Sequence, residues 1–141
     1  MASKSVQREA LSAVPLFAGC SKRELAQVAK AGTELTKEAG SVVVDQGQMG
    51  REAFVILDGT VEVSRGDRKI ASLGKGDVVG ELSLLDHGPR TASVVCETDC
   101  LLFVLDQRHL REVLEKHPSI ALKLLGTLAE RIRELDRKYY G

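Results

Sequence analysis

The sequence predicts a mainly β protein with flanking helices. The expected core is an eight-stranded antiparallel β-roll, jelly-roll-like, with helices before it and two helices after it. Three observations predict this. Short runs rich in β-branched residues recur between positions 33 and 105 at intervals of roughly 8 to 12 residues. Glycines at 40, 47, 50, 59, 66, 74 and 76 punctuate those runs. Helical spacing is confined to the two ends. The region has no helical inserts of the kind that parallel strands need, so the strands are read as antiparallel.

The elements follow in order. "QREALSAVPLF" reads as a short helix stopped by Pro15. "CSKRELAQVAKAG" opens on Ser21 with Glu24 three residues later, the pattern of a capping box. Leu25, Val28 and Ala29 give that helix its apolar stripe, and Gly32 is expected to end it. "SVVVDQG", "REAFVILDG", "TVEVSRG", "RKIASLGKGD", "RTASVVCETD" and "CLLFVLD" read as strands. "VILDGTVEV" is the clearest hairpin, with Asp58-Gly59 as its turn. Helical period returns in "DQRHLREVLEKHP", which starts on an Asp cap and ends before Pro118. In the last helix Leu125, Leu128, Ile132, Leu135 and Tyr139 are spaced 3, 4, 3, 4. This heptad-like seam suits packing on the roll or on a second copy of the chain. One domain is expected over 1–141: N-terminal helices at 1–32, the β-roll at 33–105, and C-terminal helices at 106–141.

Composition narrows the function. The 141 residues are 43% hydrophobic, enough for one domain with a real core. Lys and Arg number 20 and Asp and Glu 20, so no basic excess draws the chain to nucleic acid or an anionic membrane. No run approaches the roughly 20 apolar residues of a membrane span, and the N-terminus lacks the apolar core of a signal peptide. A soluble, cytoplasmic protein is expected. Cys20, Cys96 and Cys100 are an odd set without CxxC spacing. They read as reduced, mostly buried thiols, although Cys96 and Cys100 could face each other across a hairpin. His87, His109 and His117 show no metal-ligand spacing.

The chemistry concentrates in "VVGELSLLDHGPRTASVV", residues 78–95. Val78-Val79 is a short strand, and Gly80 permits a sharp turn and close approach. "ELSLLD" can make one or two helical turns whose free N–H groups, at Leu82 and Ser83, face an anion. "DHGP" turns the chain, and Arg90 is expected to open the next strand beside Thr91. Amide donors, a forked guanidinium and a hydroxyl suit a phosphate. Glu81 suits a hydroxyl donor. A ribose phosphate offers both. The alternative is that Glu81 and Arg90 satisfy each other as a half-buried pair. A self-satisfied pair would not need the adjoining glycine, the helix start and Thr91.

"GELSLLDHGPRTASV" closely resembles the phosphate-binding cassette of the cyclic nucleotide-binding domain family. Gly80, Glu81, Leu82, Ser83, Pro89, Arg90, Thr91 and Ala92 carry the match, within a cassette at 79–92. "VPLFAGCSKREL" and "GQMGREAFVILDGTVEV" resemble the family's helical entry and the first half of its roll. The resemblance implies that Glu81 accepts from the ribose 2′-hydroxyl. Arg90 pairs with the cyclic phosphate, helped by the amides of Leu82 and Ser83 and by Thr91. Val63, Leu73 and Leu82 line the sugar and base pocket. In the family the last helix closes over the base, where Leu128, Arg131 and Leu135 would face it and Arg131 is the polar candidate. The sequence departs from the family pattern at Val79, where an aromatic is usual. No aromatic stands in the pocket region, since Tyr139 and Tyr140 lie at the extreme end.

The implied function is a regulatory sensor that binds cyclic AMP, or else cyclic GMP, with the C-terminal helix as lid and output. The contrasting reading is a degenerate member acting as a dimerisation or docking module. A cupin-type metal enzyme needs clustered His and carboxylate ligands on strands, and the roll contains only His87, in a loop. No catalysis, cofactor or metal is therefore expected. The expected partners are the nucleotide and either a second copy, through the C-terminal helix, or an effector. No helix-turn-helix follows the last helix. Without ligand, Arg90 is expected to lack a full partner.

Overall fold

A computed structural model describes residues 2–140. Met1 and Gly141, at the limits of the expected domain, and the Tyr140 side chain lie outside the description. The first helix, α1 (Lys4–Ser12), starts at Ser3, whose side chain accepts from the Val6 N–H. Pro15–Phe17 forms one 3-10 turn. In α2 (Lys22–Ala29) both bonds of the expected capping box form: Ser21 accepts from the Glu24 N–H, and Glu24 accepts from the Ser21 N–H. Gly32 does not end this helix. The helix stops at Ala29, and Gly32 opens the first strand.

Ten strands form among the described residues. They are β1 (Gly32–Lys37), β2 (Val42–Val44), β3 (Met49–Gly50), β4 (Glu52–Asp58), β5 (Val61–Arg65), β6 (Arg68–Leu73), β7 (Val78–Val79), β8 (Gly88–Pro89), β9 (Ser93–Cys96) and β10 (Cys100–Asp106). Two four-stranded sheets, ordered β1-β10-β4-β7 and β2-β9-β5-β6, make the roll, and β3 pairs with β8 beside them. Every pairing is antiparallel. The total exceeds eight partly because β3 and β8 hold two residues each, too few for periodicity to register.

Asp58-Gly59 does not close a hairpin. Strand β4 pairs with β10 and β7, whereas β5 pairs with β6 and β9 in the other sheet. The glycine is still required, because φ is +95° and a Cβ there would sit 2.4 Å from the Asp99 carbonyl. This corner hands the chain from one sheet to the other. The hairpin falls one strand later, between β5 and β6, around Gly66 at φ +62°.

The two central strands explain why a run such as "AFVILD" lacks alternation. Ala53, Val55 and Leu57 of β4 face the helices, in a cluster with Leu11, Leu16, Phe17 and Leu110. Phe54 and Ile56 face the roll interior with Val61, Val94 and Leu102. A strand buried on both faces reads as a continuous apolar run. The two sheets therefore share one body with the helices, which is what holds the loops of the cassette still.

The C-terminal helices close the body. Asp106 caps α3 (Gln107–Lys116), its carboxylate accepting from the His109 N–H at 2.8 Å. Pro118 opens α4 (Pro118–Tyr140), at a position where its missing N–H is not needed. Ile120 and Leu124 are fully buried, and Leu128 packs half-buried beside them. Glu24 of α2 pins the start of α4, pairing with Lys123 and accepting from the Ser119 hydroxyl at 3.2 Å. The Lys123 ammonium and the Ser21 cap hold the Glu24 carboxyl down at about 2. Of the expected seam, only Leu128 packs on the body. Leu125, Ile132, Leu135 and Tyr139 are 63, 67, 55 and 67% exposed.

Candidate functional site

The cassette is held by contacts distributed over four elements. Gly80 follows β7 in the left-handed region, at φ +74°, which turns the chain into a 3-10 turn at Glu81–Leu84. Leu84 anchors that turn in the helical core. The Gln107 side-chain amide donates to the Ser83 and Asp86 carbonyls at 3.4 and 3.0 Å, tying the turn to α3. On the far side the Arg90 N–H donates to the Gln48 carbonyl at 2.7 Å, and the Gly47 N–H donates to the Arg90 carbonyl at 2.9 Å. Arg90 thus sits in a turn after β8, not in the following strand, which opens at Ser93. The turn at Gly47–Gln48 takes the backbone groups that a strand would have paired.

These elements enclose a cavity of about 490 Å³. Among the residues singled out from sequence, Gly80, Glu81, Leu82, Ser83, Arg90, Thr91, Ala92, Val63 and Leu73 all line it. Leu82 is 50% exposed, unusual for a leucine and consistent with a side chain that waits for an apolar ligand surface. Arg131 is not in the cavity wall. It reaches the site through Glu81, as described below.

Arg90 lies across two glycines. A Cβ on Gly80 would sit 2.3 Å from Arg90 Nη1, and one on Gly50 would sit 2.5 Å from Nε. The guanidinium stands 5.9 Å from the centre of the Phe54 ring, within cation–π range. Its one side-chain hydrogen bond is from Nη1 to the Ser83 hydroxyl, at 3.1 Å. No carboxylate lies within 4 Å of it among the described residues. Burial pulls its pKa down and the charge of Glu52 pulls it back up; an arginine stays cationic throughout. A half-buried cation with one neutral partner has unused donors. Gly50, Phe54 and Glu52 escaped the sequence reading, since only the glycine-rich run hinted at close approach there.

Glu81 is held differently. Its Oε2 accepts from the Leu16 N–H at 3.0 Å, and its Oε1 accepts from Arg131 Nη2 at 3.1 Å. The Glu81 and Arg131 side chains are 17% and 31% exposed. So the two charges of the cassette do not pair with each other. Nothing in the sequence could have linked Glu81 to residues 65 positions upstream and 50 downstream.

The expected amide donors divide. The Ser83 N–H donates to the Gly80 carbonyl at 3.0 Å, closing the 3-10 turn, so it is not free as expected. The Leu82 N–H has no acceptor among the described residues. The Thr91 carbonyl accepts from Arg65 Nε at 3.1 Å, which leaves its hydroxyl available at the cavity. One cation, one neutral hydroxyl and one free amide on one wall form a receptor for a small anion. A carboxylate on the same wall sorts ligands by requiring a hydroxyl donor as well.

This combination of roll and anion-receiving turn defines a ligand-binding regulatory domain, and comparison with known proteins places it. The profile of the cyclic nucleotide-binding domain matches residues 34–117, and the chain belongs to that family. It is 32% identical over 127 residues to the cyclic AMP receptor protein of Thermus thermophilus, covering 86% of this chain and 59% of the receptor. It is 35% identical over 134 residues to the human cyclic nucleotide-gated channel beta-1, covering 91% of this chain and 11% of the channel. Among solved structures, the N-terminal domain of a transcriptional regulator from Streptomyces coelicolor A3(2) superposes with a TM-score of 0.86 at 29% identity. That match covers 96% of this chain and 94% of the other. The chain thus spans less than two thirds of the receptor and a small part of the channel. No helix among the described residues is long and apolar enough to cross a membrane.

Proposed function

We propose that this chain is a single sensor domain that captures a 3′,5′-cyclic nucleotide, cyclic AMP in preference to cyclic GMP, and reports it through α4. The observation that carries the proposal is Arg90: a half-buried cation on the cavity wall whose only side-chain hydrogen bond is to a neutral hydroxyl. A cyclic phosphate supplies the missing anion. The Leu82 amide and the Thr91 hydroxyl complete its shell. Glu81 takes the ribose 2′-hydroxyl, and Val63, Leu73 and Leu82 cover the sugar and base. No cavity residue is assigned a catalytic role, and no metal or cofactor is invoked.

Binding draws the cassette turn toward Arg90. Because Glu81 also holds Arg131, that movement is felt by α4, which serves as lid and output. The output partner is a second copy of the chain, seated on the exposed seam of α4, or an effector acting on the same face. By linkage, whatever α4 contacts is biased by the nucleotide and biases it in return. Titration calorimetry with cyclic AMP and cyclic GMP tests the proposal, and binding of neither refutes it.

A second reading is a docking module that has lost its ligand. Glu81 favours it, since its carboxylate is satisfied by protein donors alone. Thermal unfolding separates the two readings, because a tight ligand raises the melting temperature by mass action.

A further inference from the structure

Arg131 stands at a junction. In the heptad seam of α4, Leu125, Ile132 and Tyr139 take position a, and Leu128 and Leu135 take position d. Arg131 then falls at g, immediately beside the seam, and Asp136 falls at e of the next heptad. In a parallel two-stranded coil a g residue faces the e residue of the following heptad on the other helix. Asp136 is exposed and forms no ion pair among the described residues. An antiparallel arrangement would instead face g against g, where Arg131 and Lys138 are both basic. The charges therefore select a parallel second copy as the occupant of the seam.

We infer that Arg131 is exchanged between two carboxylates: Glu81 of its own cassette in the ligand-free protein, and Asp136 of the partner subunit in a parallel dimer. The inference rests on the sensor reading above and names its regulation. The physical reason is a shortage of acceptor. Leu16 already holds Glu81 Oε2, so a ribose hydroxyl and Arg131 both draw on Oε1. A hydroxyl donating there weakens the Arg131 contact and frees the guanidinium. It is then close enough along its own helix to serve the seam. Two such pairs form in a symmetric dimer. Nucleotide binding and dimerisation therefore strengthen one another by the same factor.

Glu81→Gln tests the exchange without any nucleotide, because an amide oxygen holds Arg131 far less well than a carboxylate. Sedimentation of the full chain should show the Glu81→Gln dimer tighter than wild type by about two- to fivefold, the size expected of two exposed ion pairs. Adding Asp136→Asn to Glu81→Gln should abolish that gain. Cyclic AMP should tighten the wild-type dimer similarly and leave the Asp136→Asn dimer unchanged. Asp136→Asn should not alter nucleotide affinity measured at concentrations where the chain is monomeric. An unchanged Glu81→Gln dimer, a gain that survives Asp136→Asn, or a chain monomeric at every concentration overturns the exchange. If calorimetry finds no nucleotide binding while the Glu81→Gln gain depends on Asp136, the sensor reading fails and the exchange of Arg131 stands.

Discussion

The two ends of the cavity are built on different plans. The Arg90 end is local: its guanidinium is shaped by Gly50, Gly80, Ser83 and Phe54, all within the roll and cassette. The Glu81 end is assembled from afar, by a backbone amide at Leu16 and a side chain at Arg131. The first end is left short of partners, and the second is already satisfied. An end with unspent donors supplies affinity for a ligand. An end whose partners come from the outer helices supplies a connection from ligand to the rest of the molecule.

The largest expected effect comes from breaking the first end. Arg90→Ala should weaken cyclic-nucleotide binding by about 2–5 kcal/mol, because it strands a phosphate in a partly desolvated site. Undiminished affinity in calorimetry would remove Arg90 from the proposed role. At the second end Glu81→Ala should cost less, about 1.5–3 kcal/mol for one charge-assisted hydrogen bond. A loss as large as that of Arg90→Ala would show that Glu81 holds the shape of the cassette as well as the ligand.

Arg131→Ala sharpens the contrast further. It frees Glu81 Oε1, so affinity should rise by the worth of a partly exposed ion pair, about 0.2–1 kcal/mol. A fall in affinity would instead assign Arg131 to the bound nucleotide, as the family resemblance implies. The smallest effect concerns the far anchor of α4. The folded pKa of Glu24 is depressed to about 2 from an ordinary 4.5, mainly by Lys123. A depressed carboxyl contributes stability that is whole above the ordinary value and lost as pH falls through the folded one. Thermal melts of wild type should lose a little more stability than those of Glu24→Gln between about pH 4.5 and pH 2. Parallel melting of the two across that range would show that the pair contributes nothing.

Much of this was legible before any coordinates. The capping box at Ser21 and Glu24 was readable because both of its bonds lie within four residues, where sequence spacing and spatial spacing coincide. The cassette was readable for the same reason: a glycine, a short turn and an arginine define one local unit. The hairpin at Asp58-Gly59 was misread because turn chemistry reports the local bend and not which sheet each strand will join. The strand at Arg90 was misread because its hydrogen-bonding groups are claimed by residues more than 40 positions away.

The apolar face of α4 shows the same limit in energetic form. One heptad pattern spans the helix, yet Leu128 packs on the body while Leu125, Ile132, Leu135 and Tyr139 stay exposed. Periodicity states that a stripe wants cover and is silent on what covers it. The sequence alone determined the helix–roll–helix order and the chemical character of the cassette, since both rest on short-range spacing and residue type. Only the tertiary structure decided that Glu81 and Arg90 do not pair. That outcome depends on where Leu16 and Arg131 arrive after the chain has closed on itself, and an ion pair forms with the partner that packing brings nearest.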